Sequence, residues 1–356
     1  MPNAVLTHRT LHAPLLMQLA AHKMQMGQIP MHDLPAILAG IQRYARADAT
    51  LPAAALTPVW QDGPVRLLRL AGTHADKKPV VIIPSIINGA AIFDLLPGRS
   101  FLRWLHTHTG RDVYVLDWGD LTTATPPPET IQDLVDTYLR PVVSSLSDRM
   151  PHILGYCLGG VFALTAALKA EQAASLTLLA TPFDTEDPQD DIAPHIRGWA
   201  TLLDTLLFTN PNVPAGWLYS FFAALPQANT PEKFAAIAAL ADDDPLLLHF
   251  LAVEDWTQYA PPVPGLLLRD CLAQIYRHNT LPHRDLPALL PLPTHIITPV
   301  RDRIVPPVCA AKLHAAIPHG TLFQPDCGHV GAMAGRAGPD IVWPAIAKWW
   351  DSCDAA

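Results

Sequence analysis

The stretch His152-Ile-Leu-Gly-Tyr-Cys-Leu-Gly-Gly160 limits what this chain can fold into more than any other. Ile153 and Leu154 read as the end of a buried strand, and the apolar run from Val161 to Leu168 reads as a helix. Between them Gly155 and Gly159 bracket Cys157 in the pattern G-x-C-x-G. Strand, sharp turn and helix around such a pattern predict a nucleophile elbow, with sulfur in place of the usual hydroxyl oxygen. The flanking glycines let strand and helix approach closely while the nucleophile sits in a strained backbone conformation. The N–H of Leu158 then points, from the positive end of the helix, to where an oxyanion would form.

The surrounding chain alternates strand and helix. Val65–Leu70 reads as a short strand, and Pro79-Val-Val-Ile-Ile-Pro84 as a central parallel one. Ser100–His108 reads as a helix with Ser100 as N-cap, Asp112–Asp117 as a strand, and Glu129–Leu146 as a helix. Ser175–Ala180 is a further strand. This order predicts a mostly parallel, doubly wound sheet, with the loops at the strand ends sharing one rim. Ala53–Val59 reads only as a weak connector.

Residues 184–290 break the alternation with apolar helical segments and no convincing strand. A helical insertion of that size predicts a cap or lid over the site, or alternatively a dimerisation element. The expected organisation is an N-terminal helical segment over 1–60, a core over 61–183 and 291–356, and a cap over 184–290. In the core's second part, Pro293–Thr298 and Thr321–Gln324 are strands and Asp340–Ser352 a closing helix.

Two loops follow those late strands. One carries Asp302, which lies 145 residues beyond Cys157, and the other carries His329, 27 residues further on. Nucleophile, acid and histidine in this order match the α/β-hydrolase fold, with an inserted cap explaining the long gap. A thiol near pKa 8.5 is mostly protonated at neutral pH, and an adjacent imidazole would take its proton. Asp302 would hold the tautomer of His329. The expected oxyanion donors are the Leu158 N–H and an N–H of the loop after the Ile83 strand, assigned to Ile87. Cys327 is a rival thiol without an elbow, and Asp117 reads as a loop cap.

Composition narrows the function. With 24 basic and 32 acidic residues the net charge is −8, and no basic block exists, which argues against nucleic-acid binding. Five cysteines without C-x-x-C spacing favour reduced thiols in a cytoplasm. No uninterrupted run of 18 apolar residues appears, so no spanning segment is expected, and Ala13–Ala21 reads as an amphipathic helix. No set of metal ligands at metal spacing is seen.

Several segments together resemble the polyhydroxyalkanoate synthases. Gly155-Tyr-Cys-Leu-Gly-Gly160 resembles their cysteine-bearing lipase box. Val81–Asn88 with Phe93-Asp-Leu95 and Arg99–Trp104, Asp112–Gly119, Glu254-Asp-Trp256, Arg301–Pro306 and Gly328–Gly331 are similar to further blocks, in order, over roughly residues 65–350. The resemblance implies an acyltransferase of the short type. Cys157 would attack the thioester of an (R)-3-hydroxyacyl-coenzyme A, with His329 as base, and a growing polyester would pass through an acyl-cysteine. Asp302 would also activate the incoming hydroxyl. Coenzyme A then enters as substrate, and no cofactor is implied. The family also implies a homodimer, a second synthase subunit and work at the surface of a polymer granule. Arg303 and Cys327 depart from the family pattern. A cysteine-dependent hydrolase, acting on a thioester, an ester or a polyester, would use the same residues, and a non-catalytic granule-associated relative would need none of them.

Overall fold

The computed structural model describes residues 13–355 apart from 48–54, 226–229, 282–290, 318–319 and positions 75, 167, 188 and 259. Its main sheet has eight strands: β1 Thr57–Asp62, β2 Val65–Leu70, β3 Val80–Ile83, β4 Val113–Asp117, β5 His152–Tyr156, β6 Ser175–Leu179, β7 Thr294–Ile297 and β8 Gly320–Phe323. Their spatial order is β1-β2-β4-β3-β5-β6-β7-β8. The β1–β2 and β2–β4 pairs are antiparallel, and all other pairs are parallel. After β3 the chain goes first to one side, to β4, and then to the other, to β5. The crevice at that reversal is where open α/β sheets bind ligands.

Both faces of the sheet are covered, which is why the central strand β3 is apolar throughout. On β3, Val81 and Ile83 join one core with Phe162 and Leu164 of the helix Leu158–Thr165. Val80 and Ile82 join the other, with Phe101 and Leu105 of Phe101–Thr109 and Trp343 and Trp350 of the closing helix Trp343–Ala355. The Ser100 side chain accepts the Arg103 N–H at 3.0 Å, the expected N-cap. β1 begins in the expected connector. It is an edge strand, almost wholly exposed, with Pro58 at a register shift, so it lacks the alternation that marks a half-buried strand.

The insertion is helical at Ala193–Leu206, Ala215–Ala223, Pro245–Gln258 and Gly265–Leu272. It also contains an unexpected ladder, in which Asn212–Val213 pairs with Val263–Pro264. Two residues per strand are too few for a sequence period to show. The expected boundary at residue 290 lies outside the described residues. The N-terminal helices Ala13–Gln25 and Leu34–Arg46 pack on the insertion. Leu16, Ile37, Ile41 and Tyr44 share a core with Tyr219, Phe234, Ile237 and Leu251. Gly40 explains the closeness, since a Cβ there would fall 1.8 Å from the Phe234 carbonyl oxygen. No helix among the described residues is long and apolar enough to cross a membrane.

Two core histidines make stability depend on pH. Burial pushes the imidazoles of His152 and His295 down to about 4. Their unfolded value is about 6.5. Between those values the unfolded chain binds more protons, so stability falls as pH drops from 6.5 towards 4, by on the order of a few kcal/mol for the pair. Urea midpoints at pH 7.5 and 4.5 measure this. His295→Phe, which keeps the ring stacked on Trp349, should flatten the slope, and an unchanged slope would overturn the assignment.

Candidate active site

Cys157 stands between β5 and the helix Leu158–Thr165 with φ 54° and ψ −121°. That positive φ is the strained elbow conformation, held because strand and helix leave no room to relax. The Cys157 N–H is donated to the Leu179 carbonyl at 2.9 Å. A Cβ at Gly155 would lie 2.5 Å from Gly160 Cα, and one at Gly159 only 2.0 Å from the Ile83 carbonyl oxygen. The glycines of the motif are therefore a requirement of packing. Leu158, as first residue of its helix, has no intrahelical acceptor for its N–H.

Asp302 follows β7 and His329 follows β8, and the shared rim brings both to Cys157. Asp302 is buried. Its Oδ2 accepts from His329 Nδ1 at 2.7 Å, while Oδ1 accepts the N–H groups of Ile304 and Val305 at 2.9 Å each. One oxygen fixes the loop and the other orients the imidazole. Burial by itself would push the His329 pKa down. The Asp302 carboxylate and the Cys157 sulfur, both within hydrogen-bonding reach, outweigh it and raise the imidazole to about 10. Tyr156, not singled out from the sequence, supports the ring: its centroid lies 5.1 Å from that of His329, and its hydroxyl donates to the His329 carbonyl at 3.3 Å.

These groups open into a cavity of about 140 Å³ between the rim and the insertion. Ser85, Ile87 and Asn88 line it from the sheet, and Tyr219, Phe222, Thr230 and Thr257 from the insertion. Glu254-Asp-Trp256 ties the parts together. Glu254 accepts from Lys233 Nζ at 2.5 Å, Asp255 from the Tyr44 hydroxyl at 3.1 Å, and Trp256 Nε1 donates to the Gly89 carbonyl at 3.4 Å. The expected second oxyanion donor has a neighbour of its own. The Ile87 N–H, assigned as second oxyanion donor, is already donated to Ser85 Oγ at 3.0 Å. A serine two residues earlier competes for a loop N–H in this way.

The other cysteines stand apart. Burial pushes the Cys327 thiol up to about 11, and the residue does not line the cavity. Cys271 and Cys309 are buried with their thiols pushed up by that burial. Asp117 caps its loop, accepting the Gly119 N–H at 3.2 Å and pairing with Arg66 at 2.6 Å.

Residues 78–335 match the family of the alpha/beta hydrolase fold. The chain belongs to that family. An esterase from Thermogutta terrifontis, 18% identical, superposes on 85% of this chain and 99% of its own with a TM-score of 0.55, which bears on the fold alone. Sequence relatives point more narrowly within the α/β-hydrolases, to the polyhydroxyalkanoate synthases that the motifs resemble. The poly(3-hydroxyalkanoate) polymerase subunit PhaC of Thiocystis violacea is 27% identical over 78% of this chain and 82% of its own. The subunit of the same name from Allochromatium vinosum is 26% identical over 78% and 81%.

Proposed function

We infer that this α/β-hydrolase-fold protein is an acyltransferase of the polyhydroxyalkanoate synthase kind, acting through a Cys157–His329–Asp302 triad. The observation that carries the reading is the elbow cysteine facing a carboxylate-held histidine in an apolar cavity, in a chain whose sequence relatives are polymerase subunits. His329 takes the Cys157 proton, and the thiolate attacks the thioester carbonyl of a 3-hydroxyacyl-coenzyme A. The C–S bond to coenzyme A breaks, and the departing thiolate takes up the proton from His329. The acyl group stays on Cys157 as a thioester of similar free energy, still reactive towards the hydroxyl of a chain end. That hydroxyl attacks the acyl carbonyl with His329 or Asp302 as base, the bond to Cys157 breaks, its sulfur takes the proton back, and the polyester grows by one unit. By analogy with relatives named as subunits, the partners are a second subunit or a second copy of this chain, and the setting is the cytoplasmic granule surface.

The test supplies purified protein with (R)-3-hydroxybutyryl-coenzyme A and follows both thiol release and the acyl group. Elongated polyester supports the proposal. Free acid would make the protein a hydrolase, and no thiol release would leave a non-catalytic relative. Cavity size sets a second expectation. A void of about 150 Å³ admits a benzene-sized guest, about six heavy atoms, as in a 3-hydroxybutyryl group. Phe222→Ala should therefore shift kcat/KM towards 3-hydroxyhexanoyl-coenzyme A by roughly tenfold. An unchanged ratio would remove Phe222 as the wall of the acyl pocket.

A further inference from the structure

The loop after β3 presents a hydroxyl where a backbone N–H was expected. Ser85 is buried and lines the cavity together with Cys157 and His329. A hydroxyl has one proton to give and two lone pairs to receive with. The Ile87 N–H occupies a lone pair at 3.0 Å, and no acceptor for the Ser85 proton is found among the described residues. Accepting that bond also polarises the hydroxyl and strengthens it as a donor.

The position of Ser85 is clamped against the elbow. Trp118 Nε1 donates to the Pro84 carbonyl at 3.0 Å. A Cβ on Gly159 would lie 2.0 Å from the Ile83 carbonyl oxygen and 2.8 Å from that of Pro84. The end of β3 is thus pressed on the first turn of the helix Leu158–Thr165, where the Leu158 N–H stands. We propose that the Ser85 hydroxyl donates the second hydrogen bond to the oxyanion formed when Cys157 attacks a carbonyl, a role that rests on the acyl transfer proposed above. As the carbon–sulfur bond forms, the carbonyl π pair moves onto oxygen, and Leu158 N–H and Ser85 Oγ–H receive that charge together. When the carbonyl re-forms, the bond to the leaving thiolate breaks and His329 returns the proton to it.

Removing one oxyanion donor costs about 100- to 1,000-fold in kcat where the donor is strong, and a neutral hydroxyl beside an N–H donor contributes less than that. The experiment compares two reactions of the same sulfur. Acylation by 3-hydroxybutyryl-coenzyme A or p-nitrophenyl acetate builds an oxyanion. Alkylation by iodoacetamide displaces iodide at a saturated carbon and builds none. Ser85→Ala should slow acylation by about 10- to 100-fold and leave alkylation within about twofold, and Ser85→Thr should restore acylation. Equal loss in both reactions would reduce Ser85 to a brace for the Ile87 loop, and no loss in either would remove it from the reaction. Were the parent alkylated at Cys157 but unreactive towards the hydroxyacyl thioester, the synthase reading would fail, while the p-nitrophenyl ester would still decide the role of Ser85.

Discussion

Cys157→Ser should lower coenzyme A release from 3-hydroxybutyryl-coenzyme A by at least about a thousandfold while the protein folds as before. The two side chains are close in size, and Cys157 is only half-buried, so the elbow loses little packing. The proton is what differs. A serine hydroxyl is far harder to deprotonate than a thiol, and the imidazole that Asp302 orients at 2.7 Å would have to take that proton. An alkoxide that leaves the acyl group as an oxygen ester would also lose the easy exchange of one thioester for another. His329→Gln should match the loss, and the double variant should add little, because residues that act as one unit are not additive. Stopped-flow thiol release with thermal unfolding as the folding control measures all three. Near-parental turnover in Cys157→Ser would move the nucleophile elsewhere, with Cys327 the first residue to examine.

Arg111→Met is expected to destabilise the fold by about 1–3 kcal/mol, because the guanidinium is buried while its partners Asp351 and Asp354 reach solvent. The Arg111 side chain is 1% exposed. Its Nη1 donates to the Lys78 carbonyl at 2.8 Å, and its Nη2 to Asp351 and Asp354 at 2.6 Å each. Asp354 in turn meets His152 at 3.2 Å and Lys78 at 3.4 Å. Arg111 therefore ties the closing helix to the edge of β4 across some 240 residues of chain. Methionine fills much of the space but leaves Asp354 and the Lys78 carbonyl short of a donor. Arg111→Lys keeps the charge and loses the planar fork, so it should fall between the two. Urea unfolding at neutral pH is the measurement. A change below about 0.5 kcal/mol would show that water replaces the guanidinium at no cost, as at an exposed pair.

The readable parts of the site were those with a local cause. Gly155 and Gly159 stand beside Cys157 because two backbones touch there, and a requirement of that kind is written in adjacent residues. Asp302 and His329 were legible because each stands in a loop that follows a short strand late in the chain. Phe222, Thr230 and Thr257 carried no such signal. They come from helices whose apolar faces look alike, and only the way those helices seat over the rim turns one face to the cavity. Edge strand β1 was missed because exposure removed its pattern. The bond made by the Ile87 N–H was equally invisible. Ile87 lies in the right loop, but whether its N–H meets a ligand or a neighbouring hydroxyl depends on a bond no spacing encodes.

By itself the sequence determined the strand–elbow–helix, the strand ends after which Asp302 and His329 stand, and the two-faced apolar sheet, since each follows from contacts between near neighbours or from strand periodicity. Tertiary structure alone decided that Asp302 reaches His329, that Ser85 accepts the Ile87 N–H while lining the cavity, and how large that cavity is. Those are distances between segments far apart in the chain, set by how whole layers pack, and no local pattern carries them.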